Sequence, residues 1–198
     1  MVMLFGGRCR SLAIVAFTLV TTVPLAVIPA TPAAAGAVNP LERCLYELSS
    51  YQNAFNMPST GLLPYTSPPG YLPNDLLSFR TTGSVQIQPG AGAVKGPDGD
   101  PVNAPTTGGW PAPGLRQFAL LMRVRQGQVR LESNGSVPDG RTLGGTMVPW
   151  RWYVAGSYSG CLRILENAPP SIEFLMNEPN LTDNSGRFLS VGKHWWLS

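Results

Sequence analysis

The chain has 198 residues, of which 14 are Lys or Arg and 11 are Asp or Glu, with one His and three Cys. At 43% hydrophobic and 13% charged it can bury a sizeable core in a single domain. So even a charge balance excludes a strongly basic nucleic-acid binder, and the scarcity of His and Cys excludes metal centres built from those ligands.

Residues 1–37 read as a signal peptide. Arg8 and Arg10 precede an almost wholly apolar run from Ser11 to Ile28, and Ala33-Ala34-Ala35 or Ala35-Gly36-Ala37 fits a small-residue cleavage site. The alternative is an uncleaved anchor, which Pro24 and Pro29 oppose by interrupting the run. Cleavage removes two basic residues and no acidic one. The remainder then carries 12 against 11, a net charge of +1, and no stable membrane span. The localisation expected is secreted or periplasmic.

Asn39 to Gln52 is the one stretch with helical character. Asn39 can cap it, Pro40 suits its first turn, and Leu41, Leu45 and Leu48 are spaced to face inward with Cys44. Residues 54–74 are rich in Pro, Ser and Tyr and hold at most one irregular strand, near Thr60 to Tyr65. Asp75 to Gln88 alternates apolar Leu77, Phe79, Val85 and Ile87 with polar neighbours, and Gly83 permits a bend. Residues 89–114 form a long Gly- and Pro-rich loop. Its Asp98 and Asp100 are either turn residues or extra carboxylates for a metal.

Phe118 to Val124 reads as a strand with Arg123 on a solvated face. Val129 to Glu132 is another, and Asn134-Gly135 after it is a hairpin signal. Met147 to Val154 carries Trp150, Trp152 and Tyr153, and Cys161 to Leu165 precedes Asn167-Ala168-Pro169-Pro170. In Ser171 to Met176, Ile172, Phe174 and Met176 alternate with Glu173 and Leu175, and Asn184-Ser185-Gly186 turns the chain into a last strand at Phe188 to Val191. With 22 Gly and 20 Pro and no long helical period after residue 55, the fold class expected is all-β. The architecture would be an antiparallel, jelly-roll-like β-sandwich with a short N-terminal helix. The expected divisions are 1–37 leader, 38–74 helix and irregular extension, and 75–198 sandwich.

Cys44 and Cys161 remain after cleavage. An exported chain meets an oxidising compartment, so the two pair; two buried thiols are the alternative.

Between Asn177 and Asn184 stand Glu178, Asn180, Thr182 and Asp183, two carboxylates and several neutral oxygens in one loop. Ca²⁺ takes six to eight such oxygens. Asn, Asp, Ser and Gly also make plain turns for backbone reasons alone. Catalytic inventories are thin. No Cys-x-x-Cys, His-Glu-x-x-His or phosphate-loop pattern occurs, and Gly156 to Gly160 centres on Tyr158 rather than a nucleophile. An enzyme is not expected. His194 lies near the chain end and reads as a solvated terminal residue. Trp110, Trp195 and Trp196 offer faces for sugar rings, although packing of at least one of the terminal pair on the sandwich is the simpler reading.

Three blocks, taken in order, resemble the bacterial galactophilic lectins of the PA-IL type, a galactose-binding-like β-sandwich. The first runs from Asn74-Asp75 through TTGSVQI to GPDGD. The second is FALLMRVRQG at 118–127. The third is GCLRI at 160–164 with IEFLMNEPNLTDNSGRFLSVG. The resemblance implies a Ca²⁺ site whose ion binds sugar hydroxyls directly. Carried over, Glu178, Asp183 and Asn184 are the side-chain ligands, and Asn180 and Ile87 supply carbonyl oxygens. Asn103, Trp110, Glu178 and Asp183 would meet the carbohydrate, a galactose-like mono- or oligosaccharide. The family's His-Pro sugar segment is replaced here by Asn103-Ala104, its loop Asp is Glu178, and residues 129–158 have no counterpart. A homo-oligomer would add avidity. The competing expectation is a non-catalytic extracellular or envelope sandwich without a metal.

Overall fold

The computed structural model describes residues 39–48, 50–67, 70–88 and 93–196. The expected leader lies outside them. The chain order is α1 (Pro40–Leu45), β1 (Tyr51–Pro58), β2 (Leu63–Thr66), β3 (Leu76–Gln86), β4 (Val94–Lys95), β5 (Leu120–Gln126), β6 (Val129–Leu131), β7 (Tyr153–Val154), β8 (Leu162–Ile164), β9 (Ser171–Met176) and β10 (Ser185–Trp195). Two antiparallel sheets pack face to face. The larger has the order β1-β10-β3-β8-β6, with β4 paired to the far end of β3, and the smaller is β2-β9-β5-β7. The fold is thus an all-β sandwich.

The alternation seen in the sequence is what fills its interior. From β5 come Leu120, Met122 and Val124, and from β9 Ile172, Phe174 and Met176. These meet Leu77, Phe79, Val85, Leu162, Ile164 and Phe188 of the larger sheet in one buried cluster. Phe55, Tyr65, Phe79 and Phe174 interlock there; the Phe79 and Phe174 rings cross at 79° with centroids 4.9 Å apart. Burying a Phe of this kind contributes about 1.5–3 kcal/mol.

The Cys44–Cys161 disulfide is present and spans 117 residues of sequence. It ties α1 to the start of β8, where both cysteines are buried with Leu76 and Trp195. Trp195 therefore packs, and its indole N–H donates to the Leu48 carbonyl at 3.0 Å. No described helix is long and apolar enough to cross a membrane.

Several local expectations are corrected. The helix ends at Leu45 rather than Gln52, because Glu47 takes a left-handed φ of 51° and turns the chain into β1. Leu45 and Leu48 are consequently exposed. Residues 51–66 carry two strands, one per sheet, rather than one irregular strand. In β1 the pairing comes from eight register partners on β10, which override the weak strand propensity of Asn53 and Asn56. Asn134-Gly135 is not a hairpin. Gly135 lies so close to Tyr158 that a Cβ would be 2.5 Å from that carbonyl oxygen, and Ser136 N–H donates to the same oxygen at 2.8 Å. Met147 to Val154, to which the sequence reading assigned no element, contributes the short strand Tyr153–Val154, and Trp150 adopts φ 66° just after Pro149.

β9 and β10 are also not a hairpin. They lie in different sheets, and the segment between them crosses the edge of the sandwich. His194 is only 2% exposed, not solvated: β10 runs to Trp195, and its register with Leu77 of β3 turns the imidazole inward.

Candidate functional site

The crossing from β9 to β10 contains the oxygen-rich loop. A 3-10 turn at Leu181–Asp183 is capped by the Asn180 side chain, whose Oδ1 accepts from Thr182 N–H and from its hydroxyl at 2.7 Å. The Asn180 side-chain oxygen is thus taken, which leaves its backbone carbonyl as the group it can offer a ligand. Asn184 is buried and donates its amide to the Glu178 carboxylate at 2.6 Å and to the Ser59 carbonyl at 3.1 Å.

Two acceptors in this loop are buried without a hydrogen-bond donor, Asp183 Oδ1 and Asn184 Oδ1. Buried polar atoms are rarely left so. Glu178 is itself only 6% exposed. Burial pushes its carboxyl above the usual range. The hydrogen bond from Asn184 opposes that rise, and the neighbouring Asp183 charge adds to it. Ile87 reaches the same place: it follows Gln86, which pairs with Ser185, so it stands opposite Asn184. Glu178 thus bonds to Asn184 and feels the Asp183 charge, with Ile87 one residue past the end of the β3–β10 pairing.

The donor set fits a hard cation. Among the described residues no three His, Cys, Asp or Glu side chains converge, but Ca²⁺ is satisfied by carboxylate together with amide and backbone oxygens. Two carboxylates and an orphaned amide oxygen in one short crossing, with Glu178 and Asn184 buried, match that preference.

Trp110 arrives at this loop from the long connection before β5. A Cβ on Gly109 would sit 3.9 Å from the Pro179 side chain, so the connection rests on the residue next to Glu178. The Trp110 ring packs edge-on against Phe118 at 5.3 Å. Phe118 holds a left-handed φ of 59°, and its N–H donates to the Asn177 carbonyl at 2.8 Å. A bulky residue held in that region signals a constrained position.

Other expected contributors are elsewhere. Asn103 bridges Arg116 and borders a cleft with Arg116, Asp139 and Arg151 that none of residues 178–184 lines. Asp98 and Asp100 are engaged internally. Asp98 accepts from the Ser136 hydroxyl and the Ser157 N–H at 2.7 Å, and Asp100 pairs with Lys95 at 2.6 Å. Burial alone would raise the Asp98 pKa, but those hydrogen bonds and the Arg116 charge hold it below the usual carboxylate value. Trp196 is 38% exposed and leans on Tyr51 and His194.

Sequence reasoning counted Asn177 among the loop oxygens and missed its role. It is fully buried, and its amide is spent on the backbone at Ala112 and Arg116. Its place one step past the inward-facing Met176 is the only local hint. No protein-family model matches the sequence, and no curated protein gives a significant match.

Proposed function

We propose that the mature chain is an exported, non-enzymatic carbohydrate-binding sandwich that holds Ca²⁺ in the 177–184 loop. The observation that carries this reading is the pair of buried, donorless oxygens of Asp183 and Asn184 beside the buried Glu178. A cation would supply the missing partner for both and relieve the Glu178–Asp183 repulsion. Glu178, Asp183 and Asn184 would hold it, with carbonyls from Asn180 and Ile87. The ion's remaining coordination positions would take vicinal sugar hydroxyls. Trp110, on the connection that touches Pro179, would offer an apolar face. The disulfide fits an oxidising compartment.

The second reading, a structural sandwich without metal, is favoured by the Asn184–Glu178 hydrogen bond, which already answers part of the loop's polarity from within. Thermal unfolding of the oxidised protein with Ca²⁺ and with chelator separates the two. A ligand that binds only the folded state must raise the midpoint, here by about 3 °C or more at saturation. Glu178→Ala should abolish the shift together with Ca²⁺-dependent retention on immobilised sugars. An identical midpoint in both conditions would leave the structural reading.

A further inference from the structure

Residues 129–158 were left unexplained by the resemblance, and they carry a second cluster of exposed chemistry. It lies on the outer face of the smaller sheet, away from the inward-facing Ile172 and Phe174. There Glu173 is gripped by Arg123 at 2.7 Å and by Arg125 at 3.0 Å. The Arg123 guanidinium lies 4.4 Å from the Trp152 ring centre and 5.1 Å from that of Trp150, and Arg125 lies 5.3 Å from Trp150. Arg151, next in the chain, is exposed and has no ion pair among the described residues.

Two backbone irregularities converge on this spot. Trp150 holds φ 66° while remaining 55% exposed, and its N–H donates to the Val124 carbonyl at 2.9 Å. The β5–β9 register slips between Val124 and Gln126, which makes Arg125 the residue of a β-bulge. Bulges re-aim side chains, and left-handed bulky residues cost of order 1–3 kcal/mol, so both persist where the surroundings enforce them. Their joint effect is to stand an indole upright as the wall between two clefts, one of about 310 Å³ bordered by Pro111, Pro113 and Arg151, the other of about 390 Å³ bordered by Arg125 and Ser171.

We propose that this indole and its arginines form a metal-independent site for an acidic sugar chain of the uronate class. The charge is complementary: Arg151 borders one cleft and Arg125 the other, while Glu173 is buried and already answered by Arg123 and Arg125. Arg125 meets Glu173 through Nη1 alone, so the rest of its guanidinium fork, beside the indole, is turned to a ligand carboxylate. The open part of Trp150 suits the apolar face of a pyranose. The proposal goes beyond the Ca²⁺ reading and stands without it.

The test is titration of the oxidised protein with a tetrasaccharide of galacturonic acid in the presence of chelator, read by tryptophan fluorescence and calorimetry. A neutral galactose tetrasaccharide and a single-stranded oligonucleotide serve as comparisons. The acidic sugar should bind, the neutral one at least about tenfold more weakly, and added salt should weaken the acidic one. Trp150→Gly removes the ring while glycine accepts the left-handed backbone, and it should lower affinity about 30-fold with an unchanged unfolding midpoint. Arg125→Gln and Arg151→Gln should each cost about tenfold. No binding of the acidic sugar, equal binding of the neutral sugar or the oligonucleotide, or full binding by the folded Trp150→Gly variant would each overturn the proposal. Because chelator is present throughout, failure here leaves the Ca²⁺ experiment untouched.

Discussion

Asn177 and Ala112 exchange the pair of hydrogen bonds that two strands would exchange: the Asn177 Oδ1 accepts from the Ala112 N–H at 3.0 Å, and its Nδ2 donates to the Ala112 carbonyl at 3.1 Å. The same Nδ2 reaches the Arg116 carbonyl at 2.9 Å. A single side chain thus fastens the connection that presents Trp110 to the end of β9. Asn177→Ala should cost about 3 kcal/mol, since several buried backbone groups lose their partner at once. Urea unfolding measures the loss, and limited proteolysis should show cleavage within residues 105–117. A variant with wild-type midpoint and an intact connection would refute the fastening role.

Glu178→Gln keeps an oxygen for Asn184 to donate to and removes a buried charge next to Asp183. The folded pKa of Glu178 is raised above its ordinary 4.5, chiefly by burial. Its contribution to stability is therefore complete below pH 4.5 and is lost as pH rises through the folded value. Without Ca²⁺ the variant should unfold at a higher temperature than wild type at pH 7, by about 2–4 °C, and the two should converge near pH 4. With Ca²⁺ the order should reverse, because only wild type retains the ligand.

His194 carries the opposite sign. Burial depresses its pKa below 6.5 and outweighs the pull of Asp75, whose Oδ2 lies 3.2 Å from Nε2. Tyr71 stacks on the ring at 3.6 Å. A neutral imidazole is what the fold accommodates, so the stability it brings is complete above pH 6.5 and falls away as pH drops towards the folded value. Denaturation midpoints followed from pH 7.5 to 5 should decline in wild type. His194→Gln should flatten that decline, and an equal slope in both proteins would show that another group is responsible.

Gly160 and Gly140 have nearly the same left-handed backbone, φ 82° and 76°, in different surroundings. A Cβ at Gly160 would collide with the Ser133 carbonyl oxygen, whereas one at Gly140 meets nothing within 4 Å. Gly140→Ala should cost about 1 kcal/mol, from backbone strain alone. Gly160→Ala should cost roughly 3 kcal/mol or more, because backbone must move. Similar losses at both sites would show that packing around Gly160 is looser than it looks.

Reduction of Cys44–Cys161 opens a link across 117 residues, for which chain entropy gives on the order of 4–5 kcal/mol as an upper figure. The Cys44→Ala, Cys161→Ala protein should unfold at markedly lower denaturant. Its loss should be felt first at α1, through release of Trp195 from Leu48, and tryptophan emission should report it.

The elements legible in the sequence are those with one face in the core. Ile172, Phe174 and Met176 announce β9 by their alternation, as Leu120, Met122 and Val124 announce β5. β1 was hidden because Asn53, Ala54 and Asn56 carry little strand preference; long-range pairing, not local chemistry, makes it a strand. β10 looked shorter than it is because its inward positions include Ser190 and His194, polar residues answered by Thr81 and Asp75. At the candidate site, the loop's oxygens were readable from composition. Which of them are spent could not be read: Asn177 and Asn180 are the same residue type as Asn184, and only the fold distinguishes the two that bond to backbone or neighbour from the one whose oxygen is left over. The Trp150 cluster was invisible because a bulge and a left-handed tryptophan leave no periodic signature.

The position of β10 sets the timetable of folding. It stands between β1 and β3, with eight register partners on one side and eleven on the other, so β1 and β3, both from the first half of the chain, are joined by a strand from near its end, Ser185–Trp195. Closing such distant contacts is slow, on the order of milliseconds to seconds for all-β topologies. A chain leaving the ribosome keeps its larger sheet open until that strand emerges. The delay is the interval in which the edges of β1 and β3 that β10 covers stand unpaired, open to pairing with another chain.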